Sequence, residues 1–463
     1  MEKEVKRRQI DMLNGSLRKG LPMFALPVAA TAVLEQLFNA SDVAVVGNFT
    51  GDESTAAVAA VGANSPVIGL IVNLFVGIAL GANVVIANAI GRSDREAVHK
   101  AVHTSVAVAV LGGIFIAVLG ELFSGMLLRS LNVPDDVFPL ALLYLRIYLF
   151  GMPVILLYNF EAAIFRSIGD TKTPLIALTA SGVLNVLLNL FFVAVLKMTV
   201  NGVAIATVIS NAVSSVLLFR KLIISESYVK LEPKKIRIDL KTLGRILRIG
   251  LPAGIQGAVF ALSNIIIQAA INSLGKIVMA ASSAAFNIEC FAYYVLNSFS
   301  QACTTFVGQN YGAKQIDRCK KTLAICIVED AIATAAAIAL VLLSGKYMLA
   351  VFNNDPQVIE LGFVRLKMIF TAYTFSMLYE VMSGYLRGFG ISLVPAILTT
   401  IGVCGVRIAW IKMIFPKEPT FNTIMTAYPI SLATTAVLIF IALICCRPAK
   451  KFARKQKEES ISQ

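Results

Sequence analysis

Three polar residues interrupt an apolar run. In "TAVLEQLFNASDVAVVGNFTG", from Thr31 to Gly51, they are Glu35, Asn39 and Asp42. Their spacing of i, i+4 and i+7 places them on one face of a helix. A charged side chain at bilayer depth costs about 2.5–3.5 kcal/mol on insertion scales, so two carboxylates on one stripe must face protein or a water-filled cavity. The chemistry such groups offer is reversible binding of H+ or Na+; the alternative is a helix–helix hydrogen bond. Further along, "NVLLN" puts Asn185 and Asn189 on one face, and Thr207 sits in the next apolar run. Counted at about 1.5 Å per residue from the ends of their runs, Asp42, Asn39, Asn185, Asn189 and Thr207 share one level. One carboxylate with amide and hydroxyl oxygens suits Na+ at Asp42, or a proton. These five residues and Glu35 are the candidate cation-coupling set.

The second half carries a different set. Glu289, Tyr293, Asn297 and Gln301 recur at four-residue steps, and Asn264, Gln268 and Asn272 line one face of the preceding run. Arg407 lies at about the depth of Glu289, so a buried Glu289–Arg407 pair is expected, since a lone buried charge is costly. Asn64, Gln268, Asn272, Asn287, Glu289, Tyr293 and Asn297 are the candidate lining of a substrate cleft. Among charges inside the runs, Arg407 is the main cation. Glu161, Glu380, Glu329 and Asp330 lie toward one side and read as surface or gate-closing charges. His99 and His103, the two histidines, have an i, i+4 spacing that suits a metal, but no third ligand stands nearby, so no metal site is assigned to them.

The elements that position these residues follow from composition. The 463 residues are 57% hydrophobic and only 15% charged, against about 25% charged in a soluble domain. Apolar runs long enough to cross a bilayer recur along the chain. The fold class is an all-α polytopic membrane protein, with spans at about 21–46, 58–84, 101–125, 137–164, 173–196, 199–219, 247–274, 279–306, 322–345, 358–385, 393–414 and 421–446. No cleaved signal peptide is evident after the polar first 20 residues. The seven cysteines are scattered without a CxxC pair and read as small apolar residues.

The net charge of +14 is a topology signal. With both termini on one side, the loops of that side hold most of the Lys and Arg. The opposite loops hold only Arg129, Lys197, Lys276, Lys346 and Lys417. By the positive-inside bias both termini are cytoplasmic, in a cell membrane. Nucleic acid is not an expected partner; the bilayer is, and the tail "RPAKKFARKQKEES" suits anionic lipid.

The chain is duplicated. "LRKGLP" (Leu17–Pro22) recurs as "LRIGLP" (Leu247–Pro252), and Tyr158, Arg166, Gly169 and Pro174 fall on Tyr379, Arg387, Gly390 and Pro395. "AAVGAN" ending at Asn64 pairs with "SSAAFN" ending at Asn287. Twelve transmembrane helices thus form two parallel six-helix repeats, with a central cleft expected between them. The expected divisions are a cytoplasmic segment 1–20, a lobe 21–219, a linker 220–246, a lobe 247–446 and a basic tail 447–463. No Walker A pattern, Gly-x-Ser-x-Gly elbow or HExxH occurs, which argues against ATP hydrolysis and against an enzyme. No cofactor is expected.

An acidic residue near "SDVAVVG", "NVLLNLFFV" leading to "NGVAIATVIS", and "TTFVGQNYGAKQIDR" make the chain similar to the multidrug and toxic compound extrusion (MATE) family. The resemblance implies a monomeric antiporter that expels amphiphilic, often cationic small molecules in exchange for H+ or Na+, with coupling at Asp42, Asn185 and Thr207. Two departures stand out: many members have an aspartate at Asn189, and one branch has a glutamate at the position of Phe260. The pattern is closer to the branch that couples through its N-terminal lobe, with Glu35 as a compensating carboxylate. Two other readings remain: a flippase for lipid-linked sugars or cell-wall precursors, and a membrane receptor or scaffold that transports nothing. A flippase cleft needs several cations to hold a pyrophosphate, and Arg407 alone does not supply them.

Overall fold

The structure is a computed structural model and describes residues 9–131 and 133–453. The expected segment 1–20 and tail 447–463 are therefore covered only in part; residues 1–8 and 454–463 lie outside the described residues. Among those described, regular structure is helical, with no strand.

Twelve spans follow one another in the expected order. α1 is Leu17–Phe49, α2 Ser54–Gly91 and α3 Arg95–Ser130. The fourth span is bent by 50° between α4 (Phe138–Phe150) and α5 (Met152–Ser167), where Gly151 and Pro153 interrupt the helix. α6 (Lys172–Asn189) runs into a π-helical turn at Leu190–Val195, and α7 (Val200–Ile224) closes the first half.

The second half holds α8 (Leu240–Asn272), α9 (Lys276–Gly312) and α10 (Ile316–Ala350). Its tenth span is broken at Ala372 into α11 (Pro356–Thr371) and α12 (Tyr373–Gly388). Then come α13 (Leu393–Thr399), a π-helical turn at Thr400–Gly405, α14 (Val406–Met413) and α15 (Phe421–Cys446). Among the described residues, nine helices are long and apolar enough to cross a membrane, ten with the bent fourth span. The eighth and tenth spans fall short of that apolarity because they carry the second half's polar residues: Glu289, Tyr293, Asn297 and Gln301 on α9, and Arg365, Lys367, Glu380 and Arg387 on α11–α12. Bare apolar side chains such as Leu343 and Phe150 cover the outside, which suits hydrocarbon as the solvent.

The chain forms two compact units, but these do not divide at the expected linker. Of the described residues, the first comprises 9–10 and 30–251; the second comprises 11–29 and 252–453. The start of α1 therefore belongs to the second unit, and the start of α8 to the first. In the first unit, α3 packs on α4 and α5, and α6 pairs with α7, around Ile86, Leu149 and Phe160. The start of α8 joins them by a close approach to α2: a Cβ on Gly81 would lie 2.3 Å from the Ile246 carbonyl oxygen. The linker is folded onto this unit as well, with Val229 and Leu231 fully buried. In the second unit, α9 is central, packed by α10, α11 and α12, with α15 against α12. Here Asn310 donates to the Met12 carbonyl at 3.1 Å, and the Arg318 guanidinium donates to the carbonyls of Met12 and Gly15.

Candidate functional site

Asp42 is buried in the first unit, 5% exposed, where three helices meet. Its Oδ1 accepts from Asn189 Nδ2 on α6 at 2.5 Å, and its Oδ2 accepts from Thr207 Oγ1 on α7 at 3.1 Å. The same Asn189 amide donates to Asn185 Oδ1 at 3.2 Å, and Asn185 Nδ2 donates to Thr207 Oγ1 at 3.5 Å. The Asn189 Oδ1 is buried and accepts no hydrogen bond among the described residues.

The local sequence explains the meeting. Asn185 and Asn189 are one turn apart on α6, and the π-helical turn begins immediately after Asn189; such turns interrupt helices frequently at functional sites. Gly182 lies one turn before Asn185. A Cβ there would stand 1.8 Å from the Phe38 ring on α1, and Phe38 is one turn before Asp42. Absence of a side chain at 182 lets α1 come close enough for Asp42 to reach α6.

Two members of the expected coupling set are left outside. Glu35 and Asn39 are exposed and give Asp42 no hydrogen bond among the described residues. They share its helical face by spacing, but that part of the face is open where Asp42 is buried. Asn64, expected to line a cleft, is fully buried. Its Nδ2 ties α2 to α4, donating to the Ala60 and Ala141 carbonyls at 2.8 and 2.9 Å.

In the second unit the expected Glu289–Arg407 pair does not form. Glu289 Oε2 is instead 2.8 Å from Arg365 Nη2, and Arg365 Nη1 donates to Ser282 Oγ at 2.7 Å. Arg407 Nε donates to Ser431 Oγ at 2.9 Å. Its guanidinium lies over the Tyr428 ring at 4.1 Å, and that of Arg365 is 5.5 Å from the same ring. Arg365 is the buried partner that sequence reasoning missed; its position seven residues into the tenth span matches Glu289 in depth as well as Arg407 does.

The polar stripe of α9 leads from that pair along the helix. Gln301 Nε2 donates to Asn297 Oδ1 at 2.9 Å, Asn297 Nδ2 lies 3.5 Å from the Tyr293 hydroxyl, and that hydroxyl donates to Glu380 Oε1 at 3.3 Å. Gln268 and Asn272 are exposed and bonded to each other at 2.8 Å, and Asn287 donates to the Ser283 carbonyl on its own helix. Glu161, Glu380 and Asp330 are buried, which corrects their reading as surface charges. Glu161 accepts from Ser215 at 3.1 Å.

The histidines hold the linker. His103 Nδ1 is 2.8 Å from the His99 carbonyl, and His103 Nε2 accepts from Glu232 N–H at 3.0 Å. The neutral ring with its proton on Nδ1 satisfies both bonds.

Comparisons with known proteins converge. Residues 27–191 and 252–411 match the family described as MatE, one match in each half. The chain is 26% identical to the probable multidrug resistance protein YoeA of Bacillus subtilis, covering 92% of this chain and 93% of that protein. It is also 26% identical to the probable multidrug resistance protein NorM of Thermotoga maritima, covering 85% and 84%. A MATE crystal structure in the bent conformation superposes with a TM-score of 0.86 at 21% identity, over 97% of this chain and 98% of that one. An outward-facing multidrug resistance MATE family transporter of the MOP superfamily gives 0.86 at 22%, over 97% and 99%.

Proposed function

The chain belongs to the MATE family of multidrug efflux transporters, and from that premise we propose that it is a secondary antiporter, exporting small amphiphilic cations in exchange for H+ or Na+ bound at Asp42. One observation carries this reading. Asp42 is buried within a helix long and apolar enough to cross a membrane, and among the described residues its partners are neutral amides and hydroxyls, with no Lys, Arg or His in an ion pair with it. A carboxylate kept there without a fixed counter-ion is suited to an exchangeable one.

The donor set fits either cation. Asp42 offers a carboxylate, Asn185 a carbonyl oxygen and Thr207 a hydroxyl. Asn189 now presents its NH2 to Asp42 and Asn185, while its own carbonyl oxygen is idle. Rotating that amide exchanges a donor for an acceptor. The site then presents oxygens to Na+, or an acceptor to a protonated carboxyl. Occupation neutralises Asp42 and removes its attraction for a cationic substrate, so the two compete for one charge. Antiport follows if each ligand favours a different state of the protein. Export requires the substrate to be taken from the cytoplasmic side, which the Lys/Arg bias assigns to the side of both termini.

Asp42→Asn tests the reading. The amide keeps the shape and the chain still inserts, but proteoliposomes lose efflux driven by an imposed H+ or Na+ gradient. Wild-type efflux by the variant under the same gradient makes Asp42 a structural residue. A flippase of anionic lipid-linked precursors is less favoured: Arg365 raises the number of cations inside the spans, but its charge is committed to Glu289.

A further inference from the structure

A groove of about 540 Å³ opens in the first unit, between the end of α5, α6 and the last turns of α7. That size is within the range of small-ligand sites, about 300–1,000 Å³. Its walls include Phe165, Ile168, Ile176, Leu217 and Ile224, and Arg220 and Lys221 on α7 line it as well. Ile176, Leu217 and Ile224 are substantially exposed, so the apolar part is bare to the surroundings of the helices. Both basic side chains are exposed, and among the described residues neither is in an ion pair. The carboxylate that also lines the groove, Asp170, is buried and occupied: it accepts from Thr173 N at 2.9 Å and Thr173 Oγ1 at 2.7 Å. The groove therefore presents apolar walls with two exposed positive charges, which outnumber the one buried carboxylate. The loops at this end carry the Lys and Arg excess that marks the cytoplasmic face.

We propose that this groove is a binding site for an anionic phospholipid of the cytoplasmic leaflet, with the phosphate between Arg220 and Lys221 and an acyl chain along the α6–α7 walls. Basic pockets between transmembrane helices on this side of a membrane take anionic headgroups. The polarity is wrong for the exported cation, which Arg220 and Lys221 repel. A free phosphate would leave the apolar walls uncovered. The lipid holds the ends of α6 and α7, the two helices whose other halves carry Asn185, Asn189 and Thr207.

Native mass spectrometry of the purified full-length protein reads the site directly, with phosphatidylglycerol and phosphatidylethanolamine of matched chains offered in competition. Wild type retains phosphatidylglycerol preferentially. Arg220→Gln/Lys221→Gln retains it roughly thirty-fold less, as loss of two near-surface charges predicts, and its phosphatidylethanolamine binding is unchanged. Ile176→Trp, which fills the groove and leaves the charges, also lowers phosphatidylglycerol retention. Lys450→Gln/Lys451→Gln, a charge loss in the second unit, does not. Equal retention of the two lipids by wild type overturns the proposal, as does unchanged retention in either groove variant. So does a rise in wild-type retention on deleting residues 1–8, because the groove then holds the chain's own N-terminal segment.

Discussion

Glu289 and Arg365 face each other in the second unit, with the Arg365 side chain almost wholly buried. Removing one partner strands the other, at about 3–5 kcal/mol. Glu289→Gln and Arg365→Gln each lower the denaturation midpoint by that order. A double-mutant cycle between them gives a coupling of about 1–3 kcal/mol, and a cycle between Glu289 and Arg407 gives clearly less. A larger coupling to Arg407 reverses the pairing. At Asp42 the informative change is Asn189→Asp. It sets a second carboxylate where an amide now bonds the first at 2.5 Å. Two such charges cannot both ionise without a cation, so thermal stability becomes more dependent on Na+ or on acid than in wild type. A variant whose melting temperature ignores both ions shows that position 189 is not beside the coupling charge. Depth explains why one cluster was legible in the sequence and the other only half so. Asp42, Asn185, Asn189 and Thr207 lie at a common level, and of the residues counted to that level only Asn39 stays outside the cluster. Glu289 has two arginines at its level, and depth alone does not tell which of them reaches it.

The elements that hold these residues depend on a few small features. Gly182 gives the Phe38 ring its place, so Gly182→Ala forces the ring or α1 to move, at about 1–3 kcal/mol. Because Phe38 and Asp42 are one turn apart, the same change also weakens the cation-induced rise in melting temperature; a stability loss with that rise intact separates packing from the site. At the start of α8, Asp239 Oδ1 accepts from Thr242 N at 2.8 Å, and Asp239 N donates to Thr104 Oγ1 on α3 at 3.1 Å. The bonds from Thr242 hold the Asp239 carboxyl below its ordinary range. A depressed carboxyl contributes stability above its unfolded value and loses it as pH falls through the folded one. Protection of the amides of residues 241–243, taken relative to their intrinsic exchange at each pH, therefore falls on acidification below the ordinary Asp range, and Asp239→Ala shows the low protection already at neutral pH. Protection that is high and independent of pH in both proteins removes the cap from the account. The linker reads in sequence as a charged connection. Its clamp by His103 was not legible, because the bond goes to a backbone N–H that no side-chain pattern announces.

At the scale of the whole molecule, the expected topology puts residue 230 inside and residue 50 outside. Single-cysteine labelling of intact cells with an impermeant reagent modifies position 50 and spares 230; the opposite result inverts the protein. The twelve spans and the duplication were legible because apolar runs and repeated motifs are local signals. The grouping into units was not, because it turns on contacts far apart in the chain. Met12 is held by Asn310, 298 positions later, while the start of α8 completes the first unit. A clock is implied. At synthesis rates of about 5–20 residues per second, the ribosome needs roughly 15–60 s to make the partner of Met12 after Met12 itself has emerged. Over that interval the beginning of α1 lies in the membrane without its final neighbours. A chain arrested before residue 310 is accordingly open to proteolysis near residue 12, and full-length chains become resistant there only after the second half is made. Six-helix halves cut at the linker share the difficulty: each carries away a piece of the other, and neither can finish alone.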